Sequence, residues 1–225
     1  MATYIFDFDG TIADSFSLVC DIIIKQAKYL GCTQLTSTDL LQLKEMHAHE
    51  VLKYLCVPFW KIPSFVKKLR NIGHERIDEI KIFPEWPMIL KQLNEKQHRV
   101  GLVSSNSLKT VEFILKKHDL YEYFDFIFCD KSLFGKKRCL KKLIHQQNLD
   151  RSQTYYIGDE VRDIEAAQAN KIHAIAVSWG FNSVTRLKQA KPEHLLMSLA
   201  QLNDYLFTIN SKSSSPGWSK LISNV

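Results

Sequence analysis

The sequence predicts an α/β fold, a doubly wound and mostly parallel sheet with a helical cap inserted after the first strand. Three observations carry that expectation. Short apolar segments rich in β-branched and aromatic residues alternate with apolar stretches at helical spacing. Acidic residues follow two of those segments directly. The alternation breaks once, at a long helical stretch between the first and second segments. With 225 residues, 45% hydrophobic and 24% charged, the chain can build one catalytic domain with an insert, and global disorder is excluded.

The first strand covers 3–8 (TYIFDF), and Gly10 stops it. Helices then fit 16–30, 37–55 and 61–71, with Asp14-Ser15 capping the first and Pro58 and Pro63 at the turns. In the first helix Val19, Ile22, Ile23, Gln26 and Ala27 share one stripe. Strands follow at 99–104 (RVGLVS), 124–129 (FDFIFC), 153–157 (QTYYI) and 172–178 (IHAIAVS). Helical stretches near 85–97, 107–118, 135–148 and 162–170 separate them. A last amphipathic helix over 192–206 carries Leu195, Leu199, Leu202 and Leu206. The expected division is a core of 1–14 and 83–207, a cap of 15–82, and a Ser-rich tail of 208–225 broken by Pro-Gly. In such sheets chemistry collects beyond the carboxyl ends of the strands, and a cap rooted there can close on it.

Thirty Lys and Arg against 24 Asp and Glu leave a net charge of +6, spread along the chain. That excess suits an anionic partner in general. No basic block has the density of a nucleic-acid tail, so a nucleic-acid partner is not expected. Five scattered Cys without a C-x-x-C pair read as reduced, mostly buried thiols. Met1 runs straight into the first strand without a basic leader, and no run approaches eighteen apolar residues. The expected setting is cytoplasmic, without a membrane partner.

Asp7 and Asp9 flank Phe8 at the end of the first strand, followed by Gly10-Thr11. Residues two apart in a strand share a face, and two buried like charges are costly without a cation or hydrogen bonds. A second acidic group, Gly158-Asp159-Glu160-Val161-Arg162-Asp163, follows another apolar strand and opens a helix, placing Asp163 one turn beyond Asp159. Taken alone, Asp159 also reads as a helix N-cap and Asp163 as an ordinary first-turn acid. Two strand-end acid pairs in one domain make a hard, oxygen-rich site suited to Mg²⁺. Ser104-Ser105-Asn106-Ser107, after a strand and before a helix, suits phosphate oxygens, with Ser107 also placed to cap the helix. Gly135-Lys136 opens a later helix, where a lysine could neutralise a phosphate or an aspartyl group. Lys137, Arg138, Lys141 and Lys142 read as a solvated basic face.

The order Asp-x-Asp-Gly-Thr, strand then Ser-Asn, Gly-Lys, and Gly-Asp-x-x-x-Asp resembles the haloacid dehalogenase superfamily of phosphohydrolases. All four motifs stand in order after suitable elements, over essentially residues 4–206, and 156–182 is especially similar to the phosphoglycolate-phosphatase-like branch with a helical cap. The resemblance implies a Rossmann-like core and a magnesium-dependent phosphomonoesterase. Its substrate would be a small phosphorylated metabolite, phosphoglycolate-like, and an aspartyl-phosphate intermediate would form. Asp7 would be the nucleophile and Asp9 the acid and base. Mg²⁺ would sit on Asp7, the carbonyl of Asp9 and Asp159, supported by Asp163. Ser105 and Lys136 would bind the transferring phosphoryl group, and Lys136 would also offset Asp7. Asn106 would organise the strand end or touch substrate, and Gly10 and Thr11 would shape the loop around the phosphate. A sugar-phosphate mutase, a 5'-nucleotidase or a non-catalytic binding protein on the same scaffold are the alternatives.

His47 and His49, two apart on a presumed helix, do not share a face and are not expected to ligate metal. His173 reads as a packed or edge histidine. Trp179-Gly180-Phe181 falls near the mouth of the site by topology, as packing aromatics or as part of its rim. Arg162 could pair with Glu160 or Glu165, or reach that rim. Lys25, Lys28, Lys44 and Lys53 on the cap are expected to be mostly solvated, with one available to a second anion on the substrate. Monomer and homodimer both stay open.

Overall fold

The computed structural model describes residues 1–29, 39, 42–46, 48–130 and 135–208. Along the chain come β1 (Thr3–Phe6), β2 (Ala13–Asp14), α1 (Phe16–Tyr29), α2 (Ala48–Tyr54), α3 (Ile62–Glu75) and β3 (Lys81–Ile82). Then follow α4 (Trp86–Glu95), β4 (Arg99–Ser104), α5 (Leu108–Lys117), β5 (Phe126–Cys129) and α6 (Lys136–Gln146). The last are β6 (Thr154–Gly158), α7 (Val161–Ala169), β7 (His173–Val177), α8 (Val184–Gln189), β8 (His194–Leu196) and α9 (Leu199–Thr208).

Six strands form one sheet in the order β5-β4-β1-β6-β7-β8, every pair parallel. A parallel sheet is covered on both faces, which is why its strands are apolar almost throughout. Alternation along β1 divides the core. Tyr4 and Phe6 point into one layer with Trp86, Ile89, Leu90 and Leu93 of α4, Val111 and Ile114 of α5, and Leu202 of α9. Ile5 points into the other, with Leu140 and Leu143 of α6 and Ile164 of α7. Burial of each such large side chain contributes about 1.5–3 kcal/mol.

Helices α1–α3 form the inserted cap, with a small core of their own around Leu43, Leu52, Leu55, Val57 and Phe65. Its two connections to the sheet domain run side by side, because β2 pairs antiparallel with β3, Ala13 opposite Ile82 and Asp14 opposite Lys81. That short ribbon had no signature in the sequence. The cap also latches onto the loop after β7. The Ser183 N–H donates to the Lys44 carbonyl (3.0 Å), and Lys44 Nζ donates to the Gly180 carbonyl (2.8 Å).

Two expectations need correction. The helix expected over 192–206 starts only at Leu199, because His194–Leu196 pair with Ile175–Val177 as the edge strand β8. Leu195 and Leu196 accordingly go to opposite layers, the side-chain pattern of a strand. Helical leucine spacing was overruled by an open sheet edge. The first strand ends at Phe6, so Asp7 and Asp9 stand in the turn beyond it, where the Phe8 carbonyl accepts from the N–H groups of Thr11, Ile12 and Ala13.

Ser107 caps α5 as expected, its hydroxyl accepting from the Thr110 N–H (3.1 Å). His173, at the start of the interior strand β7, stacks on Tyr155 of β6, with ring centroids 4.6 Å apart. Among the described residues no cysteine is in a disulfide; Cys20 and Cys139 are buried and Cys56 is exposed. Among the described residues no helix is long and apolar enough to cross a membrane. His47, Cys32, the side chains of Lys28 and His49, and 209–225 lie outside the described residues.

Candidate active site

The sheet order places the topological switch at β1. From there the chain runs outward through β4 and β5, then returns to build β6, β7 and β8 on the other side. The crevice beyond the carboxyl ends of β1 and β6 is where ligands bind in open α/β sheets. Asp7 follows β1, its N–H donating to the Ile157 carbonyl (2.9 Å), and Asp159 follows β6. Both side chains are buried, as are Asp163 and Lys136.

Lys136, the first residue of α6, lies 2.9 Å from Asp7 Oδ2 and also contacts Asp163 Oδ1. Asp163 accepts a second bond, from the Glu160 N–H at the start of α7 (3.0 Å). Glu160, not Asp159, is the residue at the N-cap of that helix, so Asp159 stands free of the helix in the turn before it. The Thr11 hydroxyl donates to Asp159 Oδ1 (2.6 Å) and the Phe181 N–H to Asp159 Oδ2 (2.7 Å). Each carboxylate oxygen keeps a further lone pair after accepting one bond. The Thr11 carbonyl takes the indole N–H groups of Trp86 (3.0 Å) and Trp179 (3.1 Å), which holds the turn rigidly against the core. Gly10, at φ +80°, packs against the Asp159 carboxylate, where any Cβ would collide with it.

Asn106 donates to Asp9 Oδ2 (3.3 Å), and its own carbonyl oxygen accepts from the Ser107 N–H (2.8 Å). The loop after β4 therefore steers Asp9. Ser105 lies beside Arg162, whose guanidinium donates to the Ser105 hydroxyl (3.5 Å) and clasps Glu160 (Nε to Oε1, 2.9 Å). Sequence reasoning left Arg162 and Glu160 without a firm role. The structure brings both to the site, because the first turn of α7 faces the loop after β4.

Five carboxylates, those of Asp7, Asp9, Asp159, Glu160 and Asp163, gather around two cations, Lys136 and Arg162. Burial, more than the surplus of negative charge, pushes the carboxylates of Asp7, Asp9 and Asp159 toward the protonated form. Burial drives the Asp7 pKa up to about 7, against the pull of Lys136 and with the push of Asp163. Burial raises Asp159 further, and repulsion from Asp7, Glu160 and Asp163 adds to it. Asp9 is raised by burial, against the hydrogen-bonding pull of Ser15 and Asn106. Burial alone would lower Lys136, yet Asp163 and Asp7 hold it above its ordinary value. Oxygens of Asp7, Glu160 and Asp163 lie within 4.8 Å of one another. This all-oxygen, negatively charged donor set fits a hard divalent cation such as Mg²⁺. Asp159 and Asp9 of the expected metal set are not among these three, although Asp159 is near enough to Asp7, Glu160 and Asp163 for their charges to raise its pKa.

A cavity of about 300 Å³ separates this end of the sheet from the cap. Asp9, Ser105, Asn106, Glu160 and Arg162 line it from the core, and Phe181 and Asn182 from the loop after β7. Asp7, Asp159, Asp163 and Lys136 lie deeper, each at most 6% exposed. Trp179 belongs to the supporting turn, and Phe181 to the rim, where it meets Phe16 of α1 edge to face. Of the cap lysines, Lys25 pairs with Asp21, Lys44 bonds Gly180 and Lys53 is exposed.

The profile of the haloacid dehalogenase-like hydrolases matches residues 4–177. A phosphoglycolate phosphatase of Synechococcus elongatus is 29% identical over 202 residues, covering 90% of this chain and 95% of that protein. The pyrophosphatase PpaX of Bacillus mycoides is 23% identical over 214 residues, covering 92% and 98%. In three dimensions the fold is similar to the crystal structure of a predicted phosphatase from Clostridium acetobutylicum, with a TM-score of 0.80, 20% identity, and 92% and 98% of the two chains covered. A haloacid dehalogenase-like hydrolase from Streptococcus pneumoniae gives a TM-score of 0.76 at 19% identity, covering 92% and 98%. With the acidic cluster and the capped parallel sheet, these findings establish that the chain belongs to the haloacid dehalogenase-like hydrolase family, and it is similar to that family's phosphoglycolate-phosphatase-like branch.

Proposed function

We propose that the protein hydrolyses phosphomonoesters of small phosphorylated metabolites through a phosphorylated Asp7. The observation that carries this reading is the surplus of carboxylates around Lys136 at the sheet's switch point. Asp7, Glu160 and Asp163, with Asp159 and the Asp9 carbonyl alongside, would hold Mg²⁺, which when bound supplies countercharge for the phosphoryl oxygens.

An oxygen of Asp7 attacks phosphorus while the bond to the leaving oxygen breaks, and Asp9 gives that oxygen its proton. Asp9, now ionised, takes a proton from a water whose oxygen attacks the same phosphorus. The bond from phosphorus to Asp7 then breaks, inorganic phosphate departs, and both aspartates regain their starting forms. Lys136 offsets the charge of Asp7 and orients it from the start of α6. Ser105 and Arg162 face the cavity where the phosphoryl oxygens enter, and Asn106 holds Asp9 in place. Thr11 acts through its bond to Asp159.

The relatives named above bear on the leaving group. One is called a phosphoglycolate phosphatase and the other a pyrophosphatase, so a phosphate is common to both names. Phosphoglycolate is the reference compound for a first assay. Metal-stripped protein should gain phosphatase activity on titration with Mg²⁺. Asp7→Asn should lose at least about a thousandfold in kcat. Acid quenching during turnover should trap a phosphorylated protein in the wild type only. Undiminished hydrolysis by Asp7→Asn would overturn the covalent route.

A further inference from the structure

The cavity above Asp9 changes character along its length. Its floor is polar, with Asp9, Ser105, Asn106 and the Glu160–Arg162 pair. Its roof, built by the cap, is hydrocarbon, with Ile23, Leu52, Leu55, Phe65, Val66 and Leu69 prominent. Among the described residues, Arg70 supplies the cap's only lining charge apart from the titratable His74, which lies four residues further along α3. Arg70 is close enough to Arg162 for the two charges to repel, and burial together with that repulsion lowers its pKa. Lys25, Lys44 and Lys53 do not line the space.

At about 300 Å³ the cavity has the size of a small-molecule site, at the lower end of that range. Its walls on the cap side are mostly apolar and give water few partners. The roof is continuous with the polar floor, so one ligand can occupy both parts. Resting on the phosphomonoesterase reading, we infer that the preferred substrate is a phosphomonoester with a hydrocarbon leaving group, lodged in the apolar roof of the cap while its phosphate lies on the floor. The carboxylate of phosphoglycolate would lose water against those hydrocarbon walls, with Arg70 and His74 of α3 the cap's only polar lining groups on that helix to meet it. The leaving group thus departs from the phosphoglycolate-like expectation, although the reacting phosphate is the same.

The test compares ethyl, butyl and hexyl phosphate with 2-phosphoglycolate in the presence of Mg²⁺. Each added methylene should raise kcat/KM about three- to fourfold until the roof is filled, and butyl and hexyl phosphate should surpass 2-phosphoglycolate. A flat series, or 2-phosphoglycolate ahead of every alkyl ester, would overturn the inference. Val66→Trp or, should that variant fail to fold, Val51→Phe should lower the hexyl-to-ethyl ratio of kcat/KM about tenfold; an unchanged ratio counts against the roof as the binding surface. Calorimetry with methyl- and hexylphosphonate keeps the two readings separate. Tighter binding of hexylphosphonate without turnover of any ester supports the apolar site and sinks the hydrolase reading. Equal binding of the two phosphonates sinks the apolar site whatever the turnover.

Discussion

Lys136 Nζ and Asp7 Oδ2 stand 2.9 Å apart, with neither side chain more than 5% exposed, and the same ammonium contacts Asp163. One lysine thus ties together the turns after β1 and β6, which the chain builds far apart in sequence. Removing it leaves buried carboxylates with less countercharge, a loss of about 3–5 kcal/mol for a broken buried pair. Lys136→Met should therefore unfold at markedly lower urea and lose phosphatase activity. Adding Asp163→Asn should recover part of the stability without restoring activity. Additive losses in the double variant would show that the two residues do not share one network.

Asp159 is raised by burial and then by three neighbouring carboxylates, so neutralising it relieves repulsion in the metal-free protein. Asp159→Asn should raise the metal-free melting temperature and weaken the response to Mg²⁺. For the wild type, Mg²⁺ at a hundredfold its Kd should add about 2.7 kcal/mol. Scanning calorimetry with and without the ion distinguishes the two effects. A variant that melts lower without metal yet responds normally to Mg²⁺ would show that Asp159 is chiefly a hydrogen-bond acceptor for Thr11.

Gly180 packs directly on the Asp159 carboxylate, and a Cβ there would occupy the space of that side chain. Gly180→Ala should cost about 1–3 kcal/mol through overpacking, and it should weaken Mg²⁺ binding because the displaced group adjoins the acidic trio. Chemical denaturation and Mg²⁺ titration check both parts.

His98 governs a pH effect remote from the site. Burial, with the chain's amino terminus and Lys96 nearby, holds its pKa below 6.5, and its Nδ1 accepts from the Ala2 N–H (3.3 Å). The unfolded chain therefore takes up a proton first as pH falls. The stabilisation is complete above about pH 6.5 and is lost as pH drops through the lower folded value. His98→Gln should flatten the slope of urea midpoint against pH below that point, and an unchanged slope would assign it elsewhere.

The site was legible wherever a motif and its element coincide. Asp7 and Asp9 follow an apolar strand, Ser107 caps α5, and Lys136 opens α6, each a relation between residues close in sequence. Glu160 was not legible as a site residue, and Arg162 was legible only as a possible partner of Glu160 or member of the rim, because their place depends on the α7 turn facing Ser105 across the sheet. Nor was the bond from Thr11 to Asp159, which joins the loops after two different strands. Strand β8 was hidden for the same reason: Leu195, Leu199, Leu202 and Leu206 have helical spacing, and only the open edge of β7 makes a strand of His194–Leu196.

Local pattern alone determined the parallel α/β core, the inserted helices and the two acidic turns, since hydrophobic period and strand-end chemistry are written within short windows of the chain. The partners of each carboxylate, the latch of the cap through Lys44 and Gly180, and the apolar roof over a polar floor were decided only by tertiary structure. Those features arise from pairs of segments with no sequence proximity, whose meeting depends on sheet order and on how the cap packs over the switch point.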